Sequence, residues 1–161
     1  MGSGPTSSFL VEAVRYNSWA NRTLAEFCAT LPAGLLASST EGTYGAIPAT
    51  FSHLASADTR FLAVVAPLPA GLPEDGTTLD LAGAARVFAL LAPAWEAFAE
   101  NPGPADRVIN DPRGGTRPGI VFAQLMNHGS EHRTHVQSIL GPAGIEGPRI
   151  DAWGYGITGA N

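Results

Sequence analysis

The chain contains no lysine; all nine of its basic residues are arginine. That absence excludes Schiff-base lysine chemistry, and it excludes a P-loop, whose hold on phosphate needs a lysine. There is one cysteine, Cys28. It has nothing to pair with in an intrachain disulfide and agrees with a reducing cytoplasm. Charge is scarce as well: 14% of the 161 residues carry any, and the net charge of −5 offers nucleic acid no electrostatic grip. No apolar run approaches the ~20 residues a membrane span needs, and no secretory signal is visible. The expectation is a cytoplasmic domain that partners neither nucleic acid nor membrane.

What is present suits one packed domain. Hydrophobic residues make up 45% of the chain, with 19 Gly and 13 Pro as punctuation. That length and balance bury a real core, so residues 1–161 read as a single domain. The opening MGSGPTSS fits a myristoylation pattern through Gly2 and Thr6. Its Pro5 and its Gly/Ser character point instead to a frayed or vector-derived leader over residues 1–6.

Apolar residues recur at helical spacing in four places. Leu10, Ala13, Ala20, Leu24, Phe27 and Leu31 form the first stripe, capped by Ser7 or Ser8 and stopped by Pro32. Asn17 falls inside it and reads as a polar residue bonded at the bundle edge. Pro48 opens a second helix whose stripe is Ile47, Phe51, Leu54, Phe61 and Val65, with His53 beside it. After the Pro/Gly loop APLPAGLPEDGTT, a third stripe runs from Leu81 through Phe88 and Trp95 to Phe98. Its register continues across Pro93, which predicts one kinked helix rather than two. The arms around Pro112, Gly114 and Gly115 predict a short hairpin or irregular excursion. A last long helix runs from Pro118 to Leu140, ended by Gly141 and Pro142. The remainder reads as a tail that docks through Ile150, Trp153 and Tyr155. The fold class is all-α, a four-helix bundle, with the helix order left open by the long loops.

Three of the four histidines lie in MNHGSEHRTHVQSIL, as His128, His132 and His135. Each helical residue advances about 100°, so His132 lies roughly 40° from His128 and one turn along. Such a pair can converge on one metal, as the outer histidines of H-E-x-x-H do. Here the glutamate directly precedes the second histidine, so Glu131 points to the flank and at most supports a ligand. His135 shares the stripe but stands roughly 10 Å from His128 along the axis, so three on one ion would be strained. Two from this helix and one from another make a better set, and His53 is the histidine that remains. Three neutral imidazoles at ~2.0–2.1 Å with an open fourth position describe a catalytic-type zinc site; nickel or iron accepts similar ligands. Against this stands a plainer reading, since an isolated i,i+4 pair is more often surface or core decoration.

Four segments in order, YNSWANRTLAEFCATLP, GAIPATFSHLASADTRFL, MNHGSEHRTHVQSILGPAGI and IDAWGYG, resemble the landmarks of DinB/YfiT-like proteins. The resemblance spans Val11 to Gly156. It implies a four-helix bundle holding a divalent metal, zinc or nickel, through one histidine of the second helix and an H-x-x-x-H pair of the last long one. On this chain those ligands are His53, His128 and His132. It implies a homodimer too. Where relatives often read HHRGQ, this chain has Glu131-His132-Arg133-Thr134-His135, which leaves His135 outside the ligand set, as a pocket or surface group.

The wider superfamily includes thiol-dependent S-transferases and a mycothiol-dependent maleylpyruvate isomerase. The resemblance therefore implies hydrolysis or thiol transfer, with a low-molecular-weight thiol as a co-substrate. A non-catalytic metal-binding stress or accessory domain is the alternative. An open apolar pocket over the metal favours the enzyme, and a fourth protein ligand favours the structural role. For catalysis proper, the candidates are Asp58, Glu131 and His135. Asp58 turns inward on the second stripe, as a general base or ligand-supporting carboxylate, or more ordinarily in an ion pair with an arginine such as Arg133. Cys28, on an apolar face, reads as a buried small hydrophobe.

Overall fold

The computed structural model describes residues 8–111 and 114–158. The expectation for residues 1–6 concerns positions outside that range. Helix α1 spans Phe9–Cys28, capped by the Ser8 hydroxyl, which accepts the Val11 N–H at 3.2 Å. A single turn, α2 (Ala33–Leu36), follows Pro32. Helix α3 (Ile47–Val65) carries Pro48 in its first turn, where the missing N–H costs no intrahelical bond. Helix α4 (Leu81–Glu100) is capped by Asp80, whose carboxylate accepts the Gly83 N–H at 2.7 Å. It runs unbroken past Pro93, whose ring lies on the exposed face. Strands β1 (Ile109–Asp111) and β2 (Gly114–Thr116) pair antiparallel, with Ile109 opposite Thr116, and helix α5 (Pro118–Leu140) begins directly after them.

The four long helices close a bundle. α1 packs on α4 and α5, and α3 packs on α4 and α5, so the order around it is α1, α4, α3, α5. Leu24 of α1, Phe51, Leu54 and Leu62 of α3, Phe88, Leu91 and Trp95 of α4, and Leu125 and Leu140 of α5 fill its centre. Each such side chain stabilises the fold by ~1.5–3 kcal/mol when fully buried. α4 is the most apolar of the four. Among the described residues it alone is long and apolar enough to cross a membrane, although no uninterrupted apolar run of that length exists. Half of that stretch is buried in the bundle, where its apolar face forms the core against α1 and α3.

α5 is different. Its buried face is apolar at Val121 and Leu125 and again at Val136, Ile139 and Leu140, but between them it carries His128, Gly129, His132 and Arg133. That polar interval interrupts the core for two turns, and the site lies there.

At the C-terminal end α5 stops at Leu140 with Gly141 as its C-cap, as expected, but the cap geometry and one tail contact differ. Gly141 keeps a right-handed helical conformation (φ −57°) and leads into a 3-10 turn, Gly141–Ala143; the left-handed residue is Gly144, at φ 70°. Lacking a Cβ, Gly141 tolerates helical angles before Pro142, so the chain overruns by one turn before stopping. The tail then forms a short helix, α6 (Ala152–Thr158). Ile150 and Tyr155 dock as expected, Tyr155 against Trp19 with ring centroids 5.3 Å apart, but Trp153 is 80% exposed. Positions two apart on a helix point ~200° away from each other, so Trp153 and Tyr155 cannot both face α1.

Candidate metal centre

Helix α3 brings His53 against the α5 pair. The Nε2 atoms of His53 and His128 are 3.1 Å apart, and those of His132 and His128 are 3.0 Å apart. One nitrogen from each of the three lies within 4.8 Å of the others. Among the described residues no other His, Cys, Asp or Glu joins this group. Two nitrogens each ~2.05 Å from one tetrahedral ion stand roughly 3.3 Å apart, so the spacing fits a shared ion closely.

Electrostatics also suit ligation. Burial is the main cause pushing His128 down to about 4, with His53 and Arg60 adding repulsion. His132 is likewise pushed down to about 4, chiefly by burial and then by His128, His53 and His135, with Glu131 opposing. His53 is lowered by burial first and by Arg60 second. All three rings are therefore neutral at pH 7, with lone pairs free to ligate.

Aromatic rings hold these imidazoles in place. Tyr44 stacks on His53 at 4.2 Å, nearly parallel at 20°, and meets His132 in a T-shaped contact at 5.3 Å. Phe61 meets His128 edge to face at 5.4 Å. The Nδ1 atoms of His128 and His132 are buried without a hydrogen-bond partner. Tyr44 was not singled out from the sequence. It sits in the loop before α3, between Gly42 (φ 83°) and Gly45 (φ 151°), and loop residues carry no periodicity to flag them. An aromatic between two glycines was the signal available.

The model of the DinB family matches residues 5–157. The chain belongs to the DinB family. No curated protein and no solved structure matches it.

The other sequence candidates of this DinB chain fall in different places. Asp58 is 3% exposed, as its place on the stripe predicts, but it bonds toward α1. Its Oδ2 accepts the Asn21 amide at 3.3 Å, and its Oδ1 has no partner. No direct ion pair with Arg133 forms. The Asn21 side chain stands between them, its oxygen accepting from Arg133 Nη1 and its nitrogen donating to Asp58. Burial pushes the Asp58 carboxyl up to about 8, against the pull of Arg133 and the Asn21 bond. His135 lies outside the ligand group but close to it, its ring 5.2 Å from His132 and its buried Nδ1 unpartnered. Glu131 is exposed on the flank and reaches His132 only through its field. Cys28 is fully buried, and burial pushes its thiol up to about 12, so it is the inert hydrophobe expected. Asn17 is not at the bundle edge; it is buried and accepts Arg133 Nη1 at 2.9 Å.

Proposed function

We propose that this DinB-family chain is a metal-dependent enzyme in which His53, His128 and His132 hold a divalent zinc or nickel ion. The observation that carries the reading is the convergence of three neutral Nε2 atoms, two of the separations being 3.0 and 3.1 Å. An open coordination position is supported by the group having only three members among the described residues. A fourth protein ligand would have favoured a structural metal. A cavity of about 280 Å³, lined by Phe61, Val64, Ile120, Val121, Gln124 and β2, adjoins the centre through Phe61, whose ring also packs on His128. It offers room for the organic part of a substrate.

When bound, such an ion is a Lewis acid that lowers the pKa of a coordinated water toward ~7 or stabilises a thiolate. The chain's own residues do the rest. Tyr44 and Phe61 orient the ligands and shield them from water on two sides. His135, beside His132, is placed to hold a proton on its unpartnered Nδ1. The reaction we infer is hydrolysis or transfer to a low-molecular-weight thiol; a reducing cytoplasm suits both that co-substrate and a free Cys28. We also propose a homodimer, which sedimentation velocity tests directly.

Elemental analysis of wild type and of His53→Ala, His128→Ala and His132→Ala tests the centre. The expected result is about one zinc or nickel per wild-type chain after loading and at least a tenfold weaker hold in each variant. Equal, negligible metal in all four proteins removes the site. Loaded wild type is then assayed with bacillithiol, mycothiol and glutathione against electrophiles. Metal-dependent turnover supports the enzyme; its absence, with metal retained, turns the reading to a non-catalytic accessory domain.

A further inference from the structure

A second polar cluster ties α1 to both helices that carry the histidines. Asn17 and Asn21 of α1, Asp58 of α3 and Arg133 of α5 are all buried. Arg133 Nη1 donates to Asn17 Oδ1 at 2.9 Å and to Asn21 Oδ1 at 2.5 Å. Asn21 Nδ2 donates onward to Asp58 Oδ2 at 3.3 Å. The guanidinium carbon lies 5.5 Å from the centre of the Tyr16 ring, closing the far side. Space here is tight: a Cβ on Gly129 would collide with Asn17 Oδ1 and stand 2.8 Å from Arg133 Nη1.

This cluster and the histidine triad interleave in sequence. Arg133 follows His132, Gly129 follows His128, and Asp58 lies about one and a half turns beyond His53 on the same helix. Whatever sets the rotation and height of Arg133 and Asp58 thereby sets where the imidazoles of α5 and α3 point.

We propose that Asn21 is the positioning residue of the metal centre. Its amide holds α5 through the oxygen and α3 through the nitrogen, so one side chain gauges the separation of the two ligand-bearing helices. The purpose assigned to this gauge rests on the metal reading above; its geometry does not. Residue type follows from the two bonds. Leucine has the volume but neither bond, and aspartate accepts from Arg133 but has no N–H to donate to Asp58 Oδ2. A well-packed apolar cluster would hold the bundle at least as firmly as buried charges do. It would not fix rotation, because apolar contacts are not directional.

The test compares Asn21→Leu, Asp58→Leu, Asp58→Asn and Leu24→Ala with wild type. Leu24 is a fully buried apolar residue of the same helix, so Leu24→Ala loosens packing without removing any polar group of the cluster. The readouts are Co(II) affinity, the Co(II) d–d absorption band, and imidazole 15N shifts of the metal-free proteins. Asn21→Leu and Asp58→Leu are expected to bind Co(II) at least tenfold more weakly, with an altered band and moved His53 and His128 shifts. Asp58→Asn, whose carbonyl still accepts the Asn21 amide, is expected to stay within about threefold of wild type, as is Leu24→Ala. Asp58→Leu and Asp58→Asn decide the matter even if Asn21→Leu fails to fold. Wild-type affinity and band in both leucine variants, or an equal loss in Leu24→Ala, overturns the proposal. Should wild type bind no Co(II), the metal reading falls by itself. Unmoved imidazole shifts in Asp58→Leu would then overturn the gauge independently.

Discussion

Helices α3 and α5 carry two buried polar clusters side by side, one of histidines and one of Asp58 with Arg133, and the two satisfy their polar atoms in opposite ways. In the charged cluster three hydrogen bonds join Asn17, Asn21, Asp58 and Arg133, and the fully buried atom left without a partner is Asp58 Oδ1. In the histidine cluster the rings are steered by Tyr44 and Phe61, two Nδ1 atoms bond to nothing, and the Nε2 atoms crowd one another. A cluster that has met its own demands is built to hold still. One that leaves lone pairs converging is built to receive something, since buried polar atoms without partners cost stability.

The sharpest way to break that contrast is to delete one member of each. Arg133→Ala strips the charged cluster of its cation and leaves the Asn17 and Asn21 oxygens buried without their donor; a loss of about 2–5 kcal/mol in urea unfolding is expected. His128→Ala in metal-free protein removes a neutral ring that has no firm partner, so a loss of ~1 kcal/mol or less is expected by the same measurement. Equal losses would mean that the two clusters play the same structural part.

A smaller effect concerns pH, again in metal-free protein. His128 and His132 fall from an ordinary 6.5 to about 4 on folding, so the unfolded chain binds more protons in that window. Their contribution to stability is present above pH 6.5 and is lost as pH falls toward 4. Asp58 rises from 3.8 to about 8, so its folded form holds the extra proton, and its contribution is lost as pH rises through 8. The histidines thus tilt stability upward with pH between about 4 and 6.5, and Asp58 tilts it downward between about 4 and 8. Asp58→Asn should flatten the decline above pH 6.5 and steepen the rise below it. Urea midpoints collected from pH 4.5 to 8.5 show whether that separation holds.

Tyr44→Ala should have the smallest effect on stability, ~0.5 kcal/mol or less, because the residue sits half exposed in a loop. Its effect should appear in kinetics: chelator extraction of the bound metal several-fold faster than from wild type. Unchanged extraction would leave Phe61 alone to screen the centre.

The bundle was legible because its apolar residues repeat every three or four positions, and proline and glycine mark the breaks. The i,i+4 histidine pair was legible because histidine is rare in this chain and that spacing has a geometric meaning, while the full set with His53 came from the family resemblance. What escaped follows no such period. Tyr44 reaches the site from a loop whose path depends on two glycine turns. Asn17 was noticed inside the α1 stripe, but Asn21, one turn further on, is a polar position whose burial depends on what α3 and α5 present to it. The Asp58–Arg133 pairing was expected as a direct contact, and only tertiary packing places an amide between them. At the C-terminal end, Trp153 and Tyr155 looked equivalent until a short helix separated their faces.

The order of the helices around the bundle also has a consequence for synthesis. His53 and His128 are 75 residues apart in the chain, with all of α4 between them. A ribosome-bound chain therefore exposes a single candidate ligand while α1 and α3 emerge, and His53 cannot join the His128–His132 pair until α5 has left the exit tunnel and docked. Loop closure over that distance precedes assembly of the complete three-histidine set. A metal held by all three histidines would therefore report a finished topology, and partly made or misassembled chains would gain none of its full stabilisation.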